Sequence, residues 1–244
     1  MTKRQIRIIK LEETDSTNTY LRSLAEKGEK EGVIVIANSQ RAGRGRCGKS
    51  FFSPADTGLY MSILLTPDFS IEESLFLTPM TAVAVAKAIE SVCDVKCGIK
   101  WVNDIYIDEK KVCGILCEGS FDHSSGRVNY VVAGIGVNLN RPKGGFPESI
   151  RNIATYLGEG DIKEALIHRI TEEFFSLYDA LPSHTFSEEY KKRSIVIGRE
   201  IEIAGNETSI VTVVDIDEKF RLITKDKDGN IKILSSGEIS IKIK

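Results

Sequence analysis

Along the first part of the chain, the pattern of hydrophobic and polar residues is that of a strand in some segments and that of a helix in others. Short apolar runs at residues 6–11, 32–39 and 58–66, the second of them β-branched, predict strands. Residues 15–28, between the first two runs, have the polar start and the glycine end of a helix. Residues 70–93 open with the Ser-x-x-Glu form of a capping box and predict a second helix.

A series of strands followed by one helix is predicted for the next part. Residues 97–101, 104–108, 112–121 and 128–139 are apolar segments separated by short turns. Apolar residues then recur at helical spacing from residue 162 to 181, and a proline ends that segment. We therefore predict an α/β (α+β) fold, with a mixed central sheet and helices packed on it.

The sequence pattern changes after Arg193. From that point short strands alternate with turns that contain glycine, asparagine or aspartate. This pattern is typical of a small β-barrel, here of about 50 residues. The sequence thus predicts two domains, residues 1–192 and residues 193–244, the second being a separate unit.

Charge and composition exclude several classes of partner. The chain has 33 lysines and arginines against 35 aspartates and glutamates, so no overall basic field would attract nucleic acid or anionic lipid. The longest aliphatic run, residues 33–37, is far too short to span a bilayer, and residues 1–10 lack the apolar core of a signal peptide. We expect a cytoplasmic protein without membrane association.

The five cysteines have two interpretations. An odd number without a signal peptide indicates reduced thiols rather than a disulfide framework. The pairs Cys93/Cys97 and Cys113/Cys117 suggest a zinc site, but the second pair lies along an apolar strand with both side chains on one side. We expect buried core cysteines and no set of metal ligands.

Residues 40–49 form a loop rich in glycine and arginine. Residues 43–50, GRGRCGKS, match the G-x-x-x-x-G-K-[ST] pattern of P-loop NTPases. A P-loop runs directly into a helix, whereas Pro54 and an Asp-Thr-Gly turn follow here, and the candidate acidic strand ending at Asp215 lies in the C-terminal region. Three glycines and four cations still favour an anion site, with a solvated basic loop or a nucleic-acid patch as alternatives.

Five segments in order resemble the biotin protein ligases over almost the whole chain. They are STN at residues 16–18, QRAGRGRCGK from Gln40, KWVNDIYI from Lys100, KVCGILCE from Lys111 and GIGVNLN from Gly134. The resemblance implies a catalytic domain like that of the class II synthetases, followed by an SH3-like barrel. It also implies that ATP activates biotin to biotinyl-5′-AMP, after which biotin passes to one lysine of a biotin carboxyl carrier protein.

The same resemblance implies the cofactors and partners. ATP and biotin would be the bound small molecules, and Mg²⁺ would accompany the ATP phosphates with few protein ligands of its own. Some relatives carry an N-terminal helix-turn-helix domain, for which there is no room before Ile6, so we expect no DNA binding. Relatives often pair through sheet edges, which makes a homodimer a further expectation.

Catalytic roles fall on three cations and one carboxylate by this resemblance. Lys111 would bridge the biotin carboxylate and the α-phosphate, two negative groups that must be held together while charge grows on oxygen. Arg44 and Arg46 would fold over the adenylate, and Asp104 would orient the incoming lysine amine or accept its proton. Without the resemblance, Lys111 looks like a solvated turn lysine and Asp104 like part of an Asn-Asp turn.

The resemblance assigns ligand-binding roles to a further set of residues. Ser16 and Thr17 would hydrogen-bond the biotin ureido ring, or alternatively cap the following helix. Gln40 would contact biotin, or be a turn residue, while Asn103 would order the adenylate pocket and Asn138 would hydrogen-bond adenine. The other residues that the resemblance places at the ligands are Asn18, Gly43, Gly45, Phe51, Lys100, Trp101, Gly114, Gly134 and Gly136.

Two positions depart from the family pattern. Lys49 occurs where the family often repeats arginine, and Phe51 occurs where a tryptophan commonly packs on the adenine. Phenylalanine can still stack, so we expect weaker nucleotide binding rather than loss of activity. Trp101 fits a core position better than a ligand stack, whereas Gly134 and Gly136 within a strand indicate close approach to a ligand.

Three rival functions remain open on the sequence. A lipoate ligase of the same superfamily would adenylate a different acid, although the GRGR loop favours biotin. A P-loop NTPase would hydrolyse ATP without any added acid. A nucleic-acid-binding protein would use the basic loop and the small barrel, and its binding would weaken steeply with salt.

Overall fold

A seven-stranded mixed sheet forms the centre of the molecule. The computed structural model describes residues 4–122, 124–158, 160–203, 209–235, 237 and 239–241. The strands are β1 (Arg7–Thr14), β2 (Val33–Gln40), β3 (Gly58–Leu65), β4 (Gly98–Lys100), β5 (Asp104–Ile107), β6 (Lys110–Asp122) and β7 (Arg127–Asn138). Their spatial order is β1-β2-β3-β7-β6-β5-β4, in which β1 and β2 are parallel and the other neighbours antiparallel. Each strand predicted for this region is present.

Within the residues that the structure describes, five α-helices accompany this sheet. They are α1 (Thr17–Ala25), α2 (Ile71–Ser74), α3 (Leu77–Val92), α4 (Lys163–Asp179) and α5 (Ser187–Arg193). The predicted capping box is confirmed, because the Ser70 side chain accepts from the Glu73 backbone and the Glu73 carboxylate accepts from the Ser70 backbone. Helix α5 has no counterpart among the predicted helices, since only Tyr190 of its seven residues is buried and no helical apolar stripe marks it.

Strand β3 lies at the centre of the sheet and is buried on both faces. All eight of its residues are buried, because α1 packs on one face, while α3 and α4 lie on the side of the main core. Its sequence, GLYMSILL, is accordingly a nearly continuous apolar run. The exception is Ser62, whose side chain is fully buried and must find hydrogen-bond partners inside the protein.

The segment Ile71–Val92 is long and apolar enough, by length and composition, to cross a membrane. Most of it is buried inside the protein, where α3 packs against α4 and β6. Its apolarity is therefore explained by its place as the core helix. Its longest aliphatic run, residues 82–86, is only five residues long, because threonine, proline and lysine interrupt the segment.

The C-terminal part forms a second, antiparallel sheet. Its strands are β8 (Glu200–Ile203), β9 (Ser209–Ile216), β10 (Leu222–Lys225), β11 (Ile231–Leu234) and β12 (Ile239–Ile241), in the order β11-β10-β9-β8-β12. The mixed α/β class with an appended small β unit is thus confirmed. Closure as an SH3-like barrel and the boundary between residues 192 and 193 stay predictions.

This second sheet is docked tightly on the larger part. The Phe220 ring stacks on Phe186, with centroids 5.2 Å apart and planes at 4°, and meets Tyr190 edge-on at 5.1 Å. The Phe220 carbonyl accepts a hydrogen bond from Trp101 Nε1 at 2.7 Å. Residues of both sheets therefore share one hydrophobic core, and the C-terminal unit is less separate than its sequence suggests.

Candidate functional site

The glycine and arginine loop forms a small hairpin after β2. Phe51 N donates to the Gly43 carbonyl at 2.8 Å, and Gly45 N donates to the Lys49 carbonyl at 2.7 Å. A Cβ atom at Gly43 would lie 2.3 Å from the Phe51 oxygen, so this hairpin requires glycine at that position. We call residues 43–51 the arginine hairpin.

The P-loop hypothesis is wrong for this chain. Residues 51–57, which follow the GRGRCGKS pattern, are irregular and lead into β3, whereas a P-loop needs a helix there to hold phosphate at its N-terminus. Asp215, the candidate acidic partner, lies on β9 of the second sheet. Residues 43–50 therefore match the P-loop motif in sequence but not in structure.

Three arginines fasten the arginine hairpin and its base to the sheet. Arg41, at the base, pairs with two carboxylates at the end of β1, at 2.8 and 3.0 Å. Arg44 pairs with Glu118 at 2.8 Å. Arg46 Nη1 donates to Asn103 Oδ1 at 3.1 Å. The hairpin therefore lies against β6 and the turn before β5.

A polar network joins the start of α1 to β2 and β3. Thr17 N and Oγ1 donate to Gln40 Oε1 at 2.9 and 3.2 Å, and Gln40 Nε2 donates to Ser53 Oγ at 2.9 Å. The Ser62 hydroxyl lies 2.8 Å from Thr17 Oγ1 and 2.6 Å from Asn18 Oδ1. Gln40 thus does more than form a turn. Ser62 was not among the predicted site residues, although a serine inside an apolar strand was the available signal.

Ser16 occupies the N-cap position of α1, the place that the helix-capping alternative gave it. Its side chain makes no capping hydrogen bond, and it is buried at the lining of a small pocket. Buried hydroxyls require partners, so this hydroxyl is suited to meet a polar ligand atom. The structure thus shows no capping by the Ser16 side chain, and its contact with biotin stays a prediction.

Three glycines form the floor of that pocket: Gly114 on β6, with Gly134 and Gly136 on β7. A Cβ at Gly134 would lie 2.1 Å from Asn18 Oδ1, and one at Gly136 would lie 2.6 Å from the Phe51 ring. The glycines therefore leave room that Asn18 and Phe51 use in this structure. The tight packing expected of glycines within a strand is present here, while their approach to a ligand stays a prediction.

Lys111 and Asp104 form an ion pair beside this floor. Their charged atoms are 2.7 Å apart, and Asn103 Nδ2 also donates to Asp104 Oδ1 at 3.0 Å. Asn103 in turn donates to the Ile115 carbonyl at 2.9 Å, which fixes the turn to β6. Lys111 is neither a free turn lysine nor fully solvated, since its side chain is only 29% exposed.

Two cavities meet at this ion pair. The inner pocket has a volume of about 50 Å³, and the outer cleft, which extends to the second sheet, has about 1110 Å³. Both are lined by Arg46, Phe51, Asn103 and Lys111. Ligand pockets usually measure roughly 300 to 1,000 Å³, so the inner pocket must enlarge before it admits a ligand. The Phe51 ring on the glycine floor is the group placed to move.

Three residues assigned to ligands lie away from the inner pocket. Trp101 is buried, and its indole N–H is engaged by the Phe220 carbonyl, which makes it a core residue. The Lys100 ammonium lies 5.6 Å from the centroid of the Tyr106 ring and lines the outer cleft. Asn138 Nδ2 donates to the Thr155 carbonyl at 2.8 Å and also lines the outer cleft.

The cysteines are free thiols with different surroundings. Cys97 and Cys113 are buried, as the core interpretation expected, and burial raises the pKa of Cys97 to about 12. Cys93 and Cys117 are half-buried, while Cys47 is exposed on the arginine hairpin. Among the residues that the structure describes, no three histidine, cysteine, aspartate or glutamate side chains lie close enough to hold a metal ion.

This fold and site define an α/β domain with a polar inner pocket, a wide outer cleft and cations where the two cavities meet. The family model of the biotin/lipoate A/B protein ligases matches residues 11–138. The chain belongs to the biotin/lipoate A/B protein ligase family.

Relatives match nearly the whole chain. The bifunctional ligase/repressor BirA of Bacillus subtilis is 33% identical over 229 residues, which cover 91% of this chain and 70% of that protein. The biotin--[acetyl-CoA-carboxylase] ligase of Mycobacterium tuberculosis is 27% identical, covering 93% of this chain and 86% of the relative. A solved biotin protein ligase from Aquifex aeolicus, in complex with biotin and ATP, superposes with a TM-score of 0.75 and 29% identity, covering 97% and 98% of the two chains.

Proposed function

We propose that this protein is a biotin protein ligase, which makes biotinyl-5′-AMP from biotin and ATP and transfers biotin to one lysine of a biotin carboxyl carrier protein. The observation that carries the proposal is the position of Lys111 at the junction of the inner pocket and the outer cleft. A cation at that point serves two anionic reactants that enter from opposite sides. The names of the relatives agree with this function.

Biotin would occupy the inner pocket with its ureido ring towards Thr17, Gln40 and Ser62. These side chains already form a hydrogen-bonded network, so donors and acceptors are preorganised for a polar ring. The carboxylate would then point along the glycine floor towards Lys111. Displacement of the Phe51 ring would make the necessary space and leave that ring beside the nucleotide.

Adenylation joins a carboxylate oxygen to the α-phosphorus of ATP and releases pyrophosphate. Both reactants are anions, and negative charge grows on the phosphoryl oxygens in the transition state. Lys111 and Arg46, which line both cavities, would stabilise that charge. Arg44, from the arginine hairpin, would add a further charged hydrogen bond.

Transfer requires an uncharged lysine amine from the acceptor protein. The Asp104 carboxylate would accept the proton of the attacking amine, and AMP would leave as the amide bond forms. Asn103 holds Asp104 by a hydrogen bond of 3.0 Å, which orients the carboxylate for that role. Engagement of Lys111 by the substrates would release Asp104 from its ion pair.

The metal, the partners and the domain arrangement follow from the same function. Magnesium would enter with the ATP phosphates, since phosphate oxygens supply most of its ligands. The protein would act in the cytoplasm, without DNA, and two protomers would pair through sheet edges. Residues 1–192 would carry the pocket residues, and residues 193–244 would form the SH3-like barrel that closes the outer cleft.

Pyrophosphate exchange into ATP tests the function. The exchange would be measured with biotin, with lipoate and with neither acid, followed by transfer of labelled biotin to a carrier domain. We expect exchange with biotin alone. Exchange with lipoate alone would identify a lipoate ligase, and ATP hydrolysis without any acid would contradict both.

A further inference from the structure

Glu118 ends the segment KVCGILCE, and the chemistry above gives it no role. It lies on β6, beside the inner pocket that Arg44 and Asn18 both line. One carboxylate oxygen of Glu118 is 2.8 Å from Arg44 Nη2, and the other accepts a hydrogen bond from Asn18 Nδ2 at 2.9 Å. A single side chain thus joins the arginine hairpin to the start of α1.

We propose that Glu118 is a positioning residue that holds the arginine hairpin over the inner pocket through Arg44, and so sets how long the adenylate stays bound. The inference rests on the proposed function, because it assigns Glu118 a part in retaining that intermediate. A released acyl adenylate would react with water or with any accessible amine. Retention therefore matters as much as formation.

The contacts of the hairpin explain why Glu118 has this effect. Arg41 fastens only the base of the hairpin, and Arg46 bonds the neutral amide of Asn103. Glu118 contributes a full negative charge on β6, across from the hairpin. Glycines within the hairpin add entropy to its open state, so closure depends on such side-chain contacts.

An isosteric substitution separates the two contacts of Glu118. The variant Glu118→Gln keeps an oxygen that accepts from Asn18 Nδ2, but it removes the charge that pairs with Arg44. The biotin network should therefore persist, with an unchanged KM for biotin. Because both partners are partly exposed, at 27% and 43%, the gain in adenylate escape should be modest, about two- to fivefold.

The experiment compares wild type, Glu118→Gln, Arg44→Gln, the double variant and a control, Glu164→Gln. The control removes an ion pair with Lys10 of 2.7 Å that lies outside both cavities. Each protein is incubated with biotin, ATP and serum albumin, and albumin labelling is divided by the rate of pyrophosphate exchange. We expect a two- to fivefold rise for Glu118→Gln, none for the control, and no further rise when Glu118→Gln is added to Arg44→Gln.

A second measurement is independent of catalysis. Limited trypsin digestion of the ligand-free protein reports cleavage after Arg44 and Arg46, with thermal melting as the check on global folding. The inference requires faster cleavage in Glu118→Gln than in wild type at an unchanged melting temperature. Unchanged cleavage, or additive labelling in the double variant, overturns it. If wild type shows no biotin-dependent exchange, the proposed function fails, while digestion still decides whether Glu118 holds the hairpin.

Discussion

The ammonium of Lys111 lies 2.7 Å from the carboxylate of Asp104, at the point where the inner pocket opens into the outer cleft. In the protein without substrates each charge neutralises the other. Substrates that carry a carboxylate and a phosphate would draw Lys111 away and leave Asp104 able to accept a proton. One ion pair would thus serve both steps of the proposed reaction in turn.

Lys111→Ala should abolish adenylate formation while biotin binding stays measurable. The lost cation stabilises charge that develops in the transition state, and loss of one such group typically lowers kcat by about 10²- to 10³-fold. Biotin-dependent pyrophosphate exchange measures the effect, with calorimetry for biotin binding. Lys110→Ala is the matched control, since Lys110 is the exposed neighbour on the same strand. Near wild-type exchange in Lys111→Ala would remove Lys111 from its assigned role.

Arg46→Gly should release the intermediate and label bystander proteins. The change removes the charged hydrogen bond that Arg46 would make to the anionic adenylate, together with its hydrogen bond to Asn103, and adds backbone entropy to the open hairpin. A hydrogen bond to a charged group contributes about 1.5 to 3 kcal/mol, which corresponds to about one to two decades in escape rate. An avidin blot of serum albumin incubated with enzyme, ATP and biotin detects it. Adding Lys111→Ala should abolish the labelling, and equal labelling by wild type would disprove the role.

Phe220→Ala should lower the free energy of unfolding by about 3 to 5 kcal/mol. Phe220 is 5% exposed and fills the contact between the two sheets. Because the sheets share one core, we also expect a single transition in urea, monitored by circular dichroism. The control Ile231→Ala, at a side chain 58% exposed on the second sheet, should change stability by no more than about 0.5 kcal/mol. Two separate transitions in wild type would show that the units fold independently.

Cys47 should be the fast-reacting thiol of the native protein. It is exposed on the arginine hairpin, whereas burial raises the pKa of Cys97 to about 12 and that of Cys117 to about 11. A raised pKa leaves little thiolate at pH 8, and the reactive fraction grows only as the pH approaches that pKa. Titration with Ellman's reagent measures this, with Cys47→Ser as the control. ATP with biotin should slow the reaction, since Cys47 lines the outer cleft, and fast reaction in Cys47→Ser would refute the assignment.

Local patterns predicted most elements and several site residues. The apolar run of β3 and the capping box at Ser70 depend on neighbours along the chain, so the amino-acid sequence is enough to predict them. The same holds for the glycines of the floor, because a glycine within a strand signals close approach. The P-loop match failed for the converse reason. Residues 43–50 match the P-loop pattern, but the helix that holds phosphate in a P-loop does not follow them.

The sequence by itself determined the strands, the helices other than α5 and the family, because these depend on side-chain periodicity and on motifs in order; anion binding by the arginine hairpin stays a prediction. Only the tertiary structure decided that Glu118 meets Arg44, that Ser62 completes the polar network and that Trp101 serves the core. These partners are 74, 45 and 119 residues apart along the chain. Packing of the helices and of the second sheet against the first sheet brings these partners within hydrogen-bond distance. Such long-range contacts cannot be predicted from a local sequence pattern.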